Sequence, residues 1–137
     1  TGISGSTDLI KVGLVRKIIS RGISIGETGV TGKARNINKT QDFSLINPGE
    51  ILFVSKELLQ FLPLSKNIAG IVTNENVDDC YKFFNKNNKK FSTICNLERI
   101  DDLVINGSLI TLQLNEGVIY MGQIEDDEEA LDKYKYV

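Results

Sequence analysis

The chain has 137 residues and a net charge of -2, long enough for one domain that buries a sizeable core without a disulfide scaffold. The charge balance offers no basic face for DNA or RNA, no apolar run reaches the roughly 18 residues that span a bilayer, and Thr1 onward shows no signal core; the sequence reads as soluble, with no nucleic-acid and no membrane partner. It contains no histidine, which removes Ser-His and Cys-His nucleophile pairs, histidine zinc sites and the commonest general base near neutral pH.

Taken in chain order, Gly2 to Val12 begins with small hydroxyl residues and continues as the alternating run Leu9-Ile10-Lys11-Val12, which suits a strand. Arg21 to Gly26 reads as a glycine-punctuated turn, and Val30 to Ile37 as a strand that tolerates close backbone approach at Gly32. Asn47-Pro48-Gly49-Glu50 is a turn, because proline presets φ and glycine permits positive φ; it releases the apolar strand Ile51 to Val54. Ser55 can cap a helix whose Leu58, Leu59 and Leu62 share a face until Pro63 ends it. Ile68 to Thr73 is a short buried strand. Asn76-Val77-Asp78-Asp79 then opens a second helix, with asparagine as cap, two carboxylates at the positive end of the helix dipole, and an inner stripe of Val77, Cys80 or Tyr81, and Phe84.

Lys86 to Lys90 is a polar basic loop, and Phe91 to Cys95 a strand. Leu109 to Leu114 and Val118 to Met121, joined through Asn115-Glu116-Gly117, form a hairpin. The tail, Glu125 to Glu129 followed by Asp132 to Val137, is an acidic solvated segment. Cys80 and Cys95 have neither metal-site nor Cys-x-x-Cys spacing and read as two free thiols. Gly22 to Gly26 superficially suggests a phosphate loop but lacks the Lys-Ser/Thr ending, and Asp101-Asp102 reads as a solvated pair; no metal site is expected.

The segment from Thr73 to Tyr81 resembles the motif Thr-x-x-Gly-Gly-x-x-Ser-His of the swivelling phosphohistidine domain in phosphoenolpyruvate-utilising enzymes. Counted without a gap, the glycines fall on Asn76 and Val77, the serine on Cys80 and the histidine on Tyr81. The carrier is missing. Leu9 to Val12 resembles the last strand of the pyruvate kinase C-terminal core domain, and Pro48 to Leu52, Ala69 to Thr73 and the final hairpin resemble the extra domain of some bacterial and plastid pyruvate kinases.

That resemblance implies an α/β fold, a swivelling, phosphohistidine-domain-like three-layer β/β/α sandwich with two helices against one side. It implies a strand remnant of the preceding pyruvate kinase domain at 1–14, the swivelling domain at 15–123 and the acidic tail at 124–137. The parent would transfer phosphoryl from phosphoenolpyruvate to ADP with magnesium and potassium; this fragment would hold no cofactor. Its partners would be the remainder of the pyruvate kinase chain and further copies of the parent in a homo-oligomer. The Ile, Asn and Lys bias together with the plastid-type relatives suggests an apicoplast-like organelle, the cytoplasm being the other address.

Tyr81 and Cys80 occupy the degenerate carrier positions, and neither suits the task. Phosphotyrosine is a stable ester, and a thiol beside carboxylates has a lowered thiolate fraction. A phosphate charge about 5 Å from Asp78 and from Asp79 would be repelled by roughly 3 kcal/mol per pair at an effective dielectric near 20. The expectation is therefore a structural, assembly or regulatory domain without catalytic residues, Thr73 and Glu75 being the candidate ligand-binding positions should an anion pocket persist. The alternatives are a phosphotransfer or phosphate-binding module using Cys80 or Tyr81, and an interaction module working through the tail or an exposed edge strand.

Overall fold

A computed structural model describes residues 17–122. The strand expected at 9–12 and the acidic tail lie outside the described residues. Eight strands follow in order: β1 (Ile18–Arg21), β2 (Ile23–Ile25), β3 (Val30–Ile37), β4 (Ile51–Val54), β5 (Gly70–Val72), β6 (Thr93–Cys95), β7 (Leu109–Gln113) and β8 (Val118–Met121). Two α-helices, α1 (Lys56–Leu59) and α2 (Val77–Lys86), and a 3-10 helix (Thr40–Leu45) connect them.

All eight strands belong to one mixed sheet, ordered β1-β8-β7-β3-β4-β5-β6-β2. Neighbours from β3 to β6 run parallel, and the remaining pairings are antiparallel. The outermost strands, β1 and β2, are consecutive in the chain and separated only by Gly22, so the sheet curls until its two ends meet there. Gly22 is required at that corner. A Cβ on it would lie 2.5 Å from the Cys95 carbonyl oxygen and 2.8 Å from Ile94, while its N–H donates to Gly117 O at 2.9 Å.

The opposite corner is β3, whose first half pairs with β7 (Thr31 with Thr111) and whose second half pairs with β4 (Asn36 with Phe53). The expected swivelling, phosphohistidine-domain-like β/β/α three-layer sandwich is thereby corrected. One continuous, mixed, eight-stranded sheet stands in its place, because β3 serves both halves and the stretch read as a turn, Arg21 to Gly26, holds the corner and β2, which with β1 joins the ends.

Side-chain alternation shows why β4 is apolar throughout and β5 and β6 nearly so. Ile51 and Phe53 of β4, Val72 of β5 and Ile94 of β6 enter an inner cluster with Ala34, Ile110, Leu112 and Ile119. Leu52 and Val54, Ile71 and Cys95 point the other way, into an outer cluster with Ile25, Phe43, Leu59, Leu62, Cys80, Phe84 and Phe91. A strand covered on both faces needs apolar residues at every position, and each fully buried side chain of this size contributes about 1.5–3 kcal/mol.

The first helix is shorter than its leucine spacing suggests. Beyond Leu59 the bonds tighten, with Phe61 N–H donating to Leu58 O and Leu62 N–H to Leu59 O, and Pro63 turns the preceding residue away from helical geometry. Leu62 stays buried nonetheless. The 3-10 helix was not legible as such; the Asp42 carboxylate starts it by accepting the N–H groups of Asn38 (2.8 Å) and Lys39 (3.2 Å).

Candidate functional site

Open parallel sheets bind ligands beyond the carboxyl ends of their strands, and here those ends converge on the loop Thr73–Asn76 that leads from β5 into α2. The Asn74 side chain accepts the Lys56 N–H at 2.8 Å, holding the start of α1 at the end of β4. Asn96, just after β6, donates its N–H to Glu75 O at 2.7 Å, and Leu97 donates to Thr73 O at 3.4 Å. Three strand ends are thus laced to one loop.

The same loop uses its own side chains to occupy its amides. Thr73 Oγ1 accepts from Glu75 N–H at 3.2 Å, Glu75 Oε1 from Asn76 N–H at 2.9 Å, and Asn76 Oδ1 from Asp79 N–H at 2.8 Å. The expected Asn76 cap is present. Its Nδ2 also donates to Asp79 Oδ2 at 3.0 Å, so the cap and the first-turn carboxylate bind each other. An anion arriving at the start of α2 would meet the Asp78 and Asp79 carboxylates in the first turn and would find the Glu75, Asn76 and Asp79 amides taken by side chains.

Thr73, Glu75 and Cys80 come together around this mouth, and Tyr81 does not. Thr73 is fully buried and Glu75 half-buried. Cys80 has no exposed surface, whereas Tyr81, one residue further round the helix, is 41% exposed. Its ring lies 5.8 Å from Lys90 Nζ and lines a shallow cleft of about 260 Å³ with Phe84, Asn85, Asn88 and Lys89. The Cys80 thiol is pushed up from its ordinary range by the Cys95 thiol, by burial, and by the Glu75 and Asp79 carboxylates. Both thiols are free.

Elsewhere, Asp101 and Asp102 are exposed, and Asp102 takes a positive φ of 57° in its turn. Gly22 to Gly26 is the sheet corner and β2 rather than a phosphate loop. No group of three or more Cys, Asp or Glu side chains is arranged to hold a metal among the described residues. None of the described helices is long and apolar enough to cross a membrane.

Sequence reasoning missed the ion pair between Arg35 and Glu50, which clamps β3 to the turn before β4. Arg35 Nε donates to Glu50 Oε1 at 3.1 Å and NH2 to Oε2 at 2.9 Å, while Asn47 N–H reaches Oε1 at 2.7 Å. Glu50 is only 4% exposed. Burial alone would raise its carboxyl, but the Arg35 bonds and charge together with the Asn47 bonds hold it below the usual carboxylate range. A glutamate ahead of an apolar strand was the only signal available, and it carries no pointer to its partner.

No protein-family model matches the chain. It is 30% identical over 123 residues to pyruvate kinase 2 of Synechocystis sp., covering 90% of this chain and 21% of that protein. It is 24% identical over 113 residues to a probable phosphoenolpyruvate synthase of Archaeoglobus fulgidus, covering 82% and 15%. The chain thus spans about a fifth or less of the length of these curated relatives. Among solved structures, the microcin C7 self-immunity protein MccF matches with a TM-score of 0.52 at 13% identity over 74% of this chain and 41% of that one. Streptomyces coelicolor RraAS2, of the RNase ES inhibitor RraA family, matches with a TM-score of 0.52 at 14% identity over 98% and 85%. At such identity these likenesses speak of fold alone, and they associate the mixed sheet with MccF and RraA-type architectures in place of the expected phosphohistidine domain. The sequence relationship is to pyruvate kinases and to phosphoenolpyruvate synthase.

Proposed function

With a pyruvate-kinase-related domain as the premise, we propose that the chain is a non-catalytic part of a pyruvate kinase and serves its assembly or regulation. The parent would transfer phosphoryl from phosphoenolpyruvate to ADP, with magnesium and potassium bound elsewhere in the polypeptide. Its partners would be the rest of that polypeptide and further copies of it, in a plastid-type organelle or the cytoplasm. The observation that carries this reading is the self-occupied start of α2. Asn76, Glu75 and Asp79 engage one another where a transferred phosphoryl group would need free amides, and the residue in the nucleophile's neighbourhood, Cys80, has no exposed surface.

The test is to incubate the chain with phosphoenolpyruvate, with and without magnesium, and to record its intact mass under neutral and acidic conditions. The expected outcome is an unmodified chain. A phosphoryl increment mapped to Cys80 or Tyr81 would establish the phosphotransfer alternative and remove the non-catalytic one.

A further inference from the structure

Asn106 is the one asparagine of the chain followed by glycine; every other asparagine precedes a larger residue. That dipeptide carries chemistry of its own, because a glycine amide has no side chain to keep it from the neighbouring carboxamide. Here the fold has engaged both reacting groups. Just ahead of β7, the segment 104–108 runs along the same edge of β3. Gly107 N–H donates to Ala34 O at 2.8 Å and Ala34 N–H to Ser108 O at 2.8 Å, while Asn36 N–H donates to Asn106 Oδ1 at 2.6 Å and Asn36 Nδ2 to Val104 O at 3.0 Å. The nucleophile is thus held as a donor and the electrophile as an acceptor. Both residues are nevertheless exposed, and Gly107, at a φ of 88°, has open space where a Cβ would stand.

We infer that the pair Asn106 and Gly107 is a self-modification site that β3 keeps latent: when the clip opens, the pair cyclises to a succinimide and hydrolyses, and the isoaspartyl product cannot close the clip again. The Gly107 amide nitrogen, its proton lost to solvent base, bonds to the Asn106 side-chain carbonyl carbon; the bond from that carbon to the carboxamide nitrogen breaks, and ammonia leaves with a proton regained from water. Water then opens the ring at either carbonyl, giving an aspartyl or an isoaspartyl residue at position 106, with no change of oxidation state. An aspartyl side chain still offers an oxygen to Asn36 N–H. An isoaspartyl linkage lengthens the main chain by one carbon–carbon bond, about 1.5 Å, so Gly107 N–H and Ser108 O no longer both meet Ala34. Val104 and Ala34 belong to the inner cluster, so an unfastened loop loosens that interior at its rim. The rate follows local opening of the clip, not surface exposure.

The full chain is held at mildly alkaline pH, one portion folded and one unfolded in guanidinium chloride, and timed samples are digested under acidic conditions and mapped by mass spectrometry with fragmentation that separates aspartyl from isoaspartyl. Conversion is expected first at position 106 in both portions, and about tenfold more slowly in the folded one, since the clip must open before the ring can form. Asn36→Ala, which deletes the bond to Val104 O, should speed the folded reaction several-fold and leave the unfolded rate unchanged. The isoaspartyl form should melt at a lower temperature than the starting chain. Equal rates in the two portions, another asparagine converting ahead of Asn106, no conversion at all in the folded portion, or an isoaspartyl form as stable as the original would each overturn the proposal. The comparison of folded with unfolded portions uses the unaltered chain, so it stands even if Asn36→Ala fails to fold.

Discussion

The two apolar interiors share the strands β4, β5 and β6 but fill their space differently. The inner one, enclosed by the curled sheet, is almost wholly aliphatic, with Phe53 as its one aromatic among the fully buried members. The outer one lies beneath short helices and loops and is spanned by rings: Phe83 to Phe84 at 5.8 Å and Phe84 to Phe91 at 6.0 Å, both edge-to-face. Where hydrogen-bonded strands fix backbones on both sides, branched aliphatics suffice. Where a helix of four residues and another of ten must cover a face, large rings bridge the gaps that irregular backbone leaves.

That contrast is sharpest in a pair of truncations. Phe53→Ala should cost about 4 kcal/mol in urea unfolding, because the surrounding strands cannot collapse into the cavity, and Phe84→Ala about 3 kcal/mol, because α2 can settle inward. Equal losses would erase the distinction. Next in size is the clamp that belongs to neither interior. Glu50→Ala should destabilise the chain by roughly 3 kcal/mol, leaving the Arg35 guanidinium without its partner. Since the folded Glu50 carboxyl lies below its unfolded value, its contribution is present above the ordinary carboxylate range and is lost as pH falls through the depressed folded value. Glu50→Gln should accordingly remove part of the acid limb of the stability profile, measured by unfolding at graded pH. The smallest effect tests the outer face alone: Asn76→Ala should cost about 1 kcal/mol, and Asn76→Ser should restore most of it, since serine caps equally well and sets no second carboxylate against Asp79.

The local features of the site were legible because they depend on neighbours in sequence. The Asn76 cap, the carboxylates behind it, the glycine of the last turn and the all-apolar β4 each follow from a few adjacent residues. The path of the sheet was not, because it turns on Gly22 meeting Gly117 and Cys95, and nothing near Gly22 announces those partners. For the same reason Arg21 to Gly26 read as a turn, the sheet as a layered sandwich, and Arg35 and Glu50 as unrelated. Burial of Cys80 and exposure of Tyr81 were left open by the stripe, and the packing of α2 against β6 decides between them.

The corner at Gly22 also sets an order of assembly. Ile23 pairs with Cys95, 72 positions later, and Ile18 pairs with Tyr120 further on still, so β2 has no strand to join until β6 exists, and β1 none until β8 does. Contacts of such separation make for slow folding. A nascent chain that has emerged only as far as β6 offers a partner to β2 and none to β1. Ring closure therefore falls to the final hairpin, and a ribosome must release nearly the whole segment before the ring can lock.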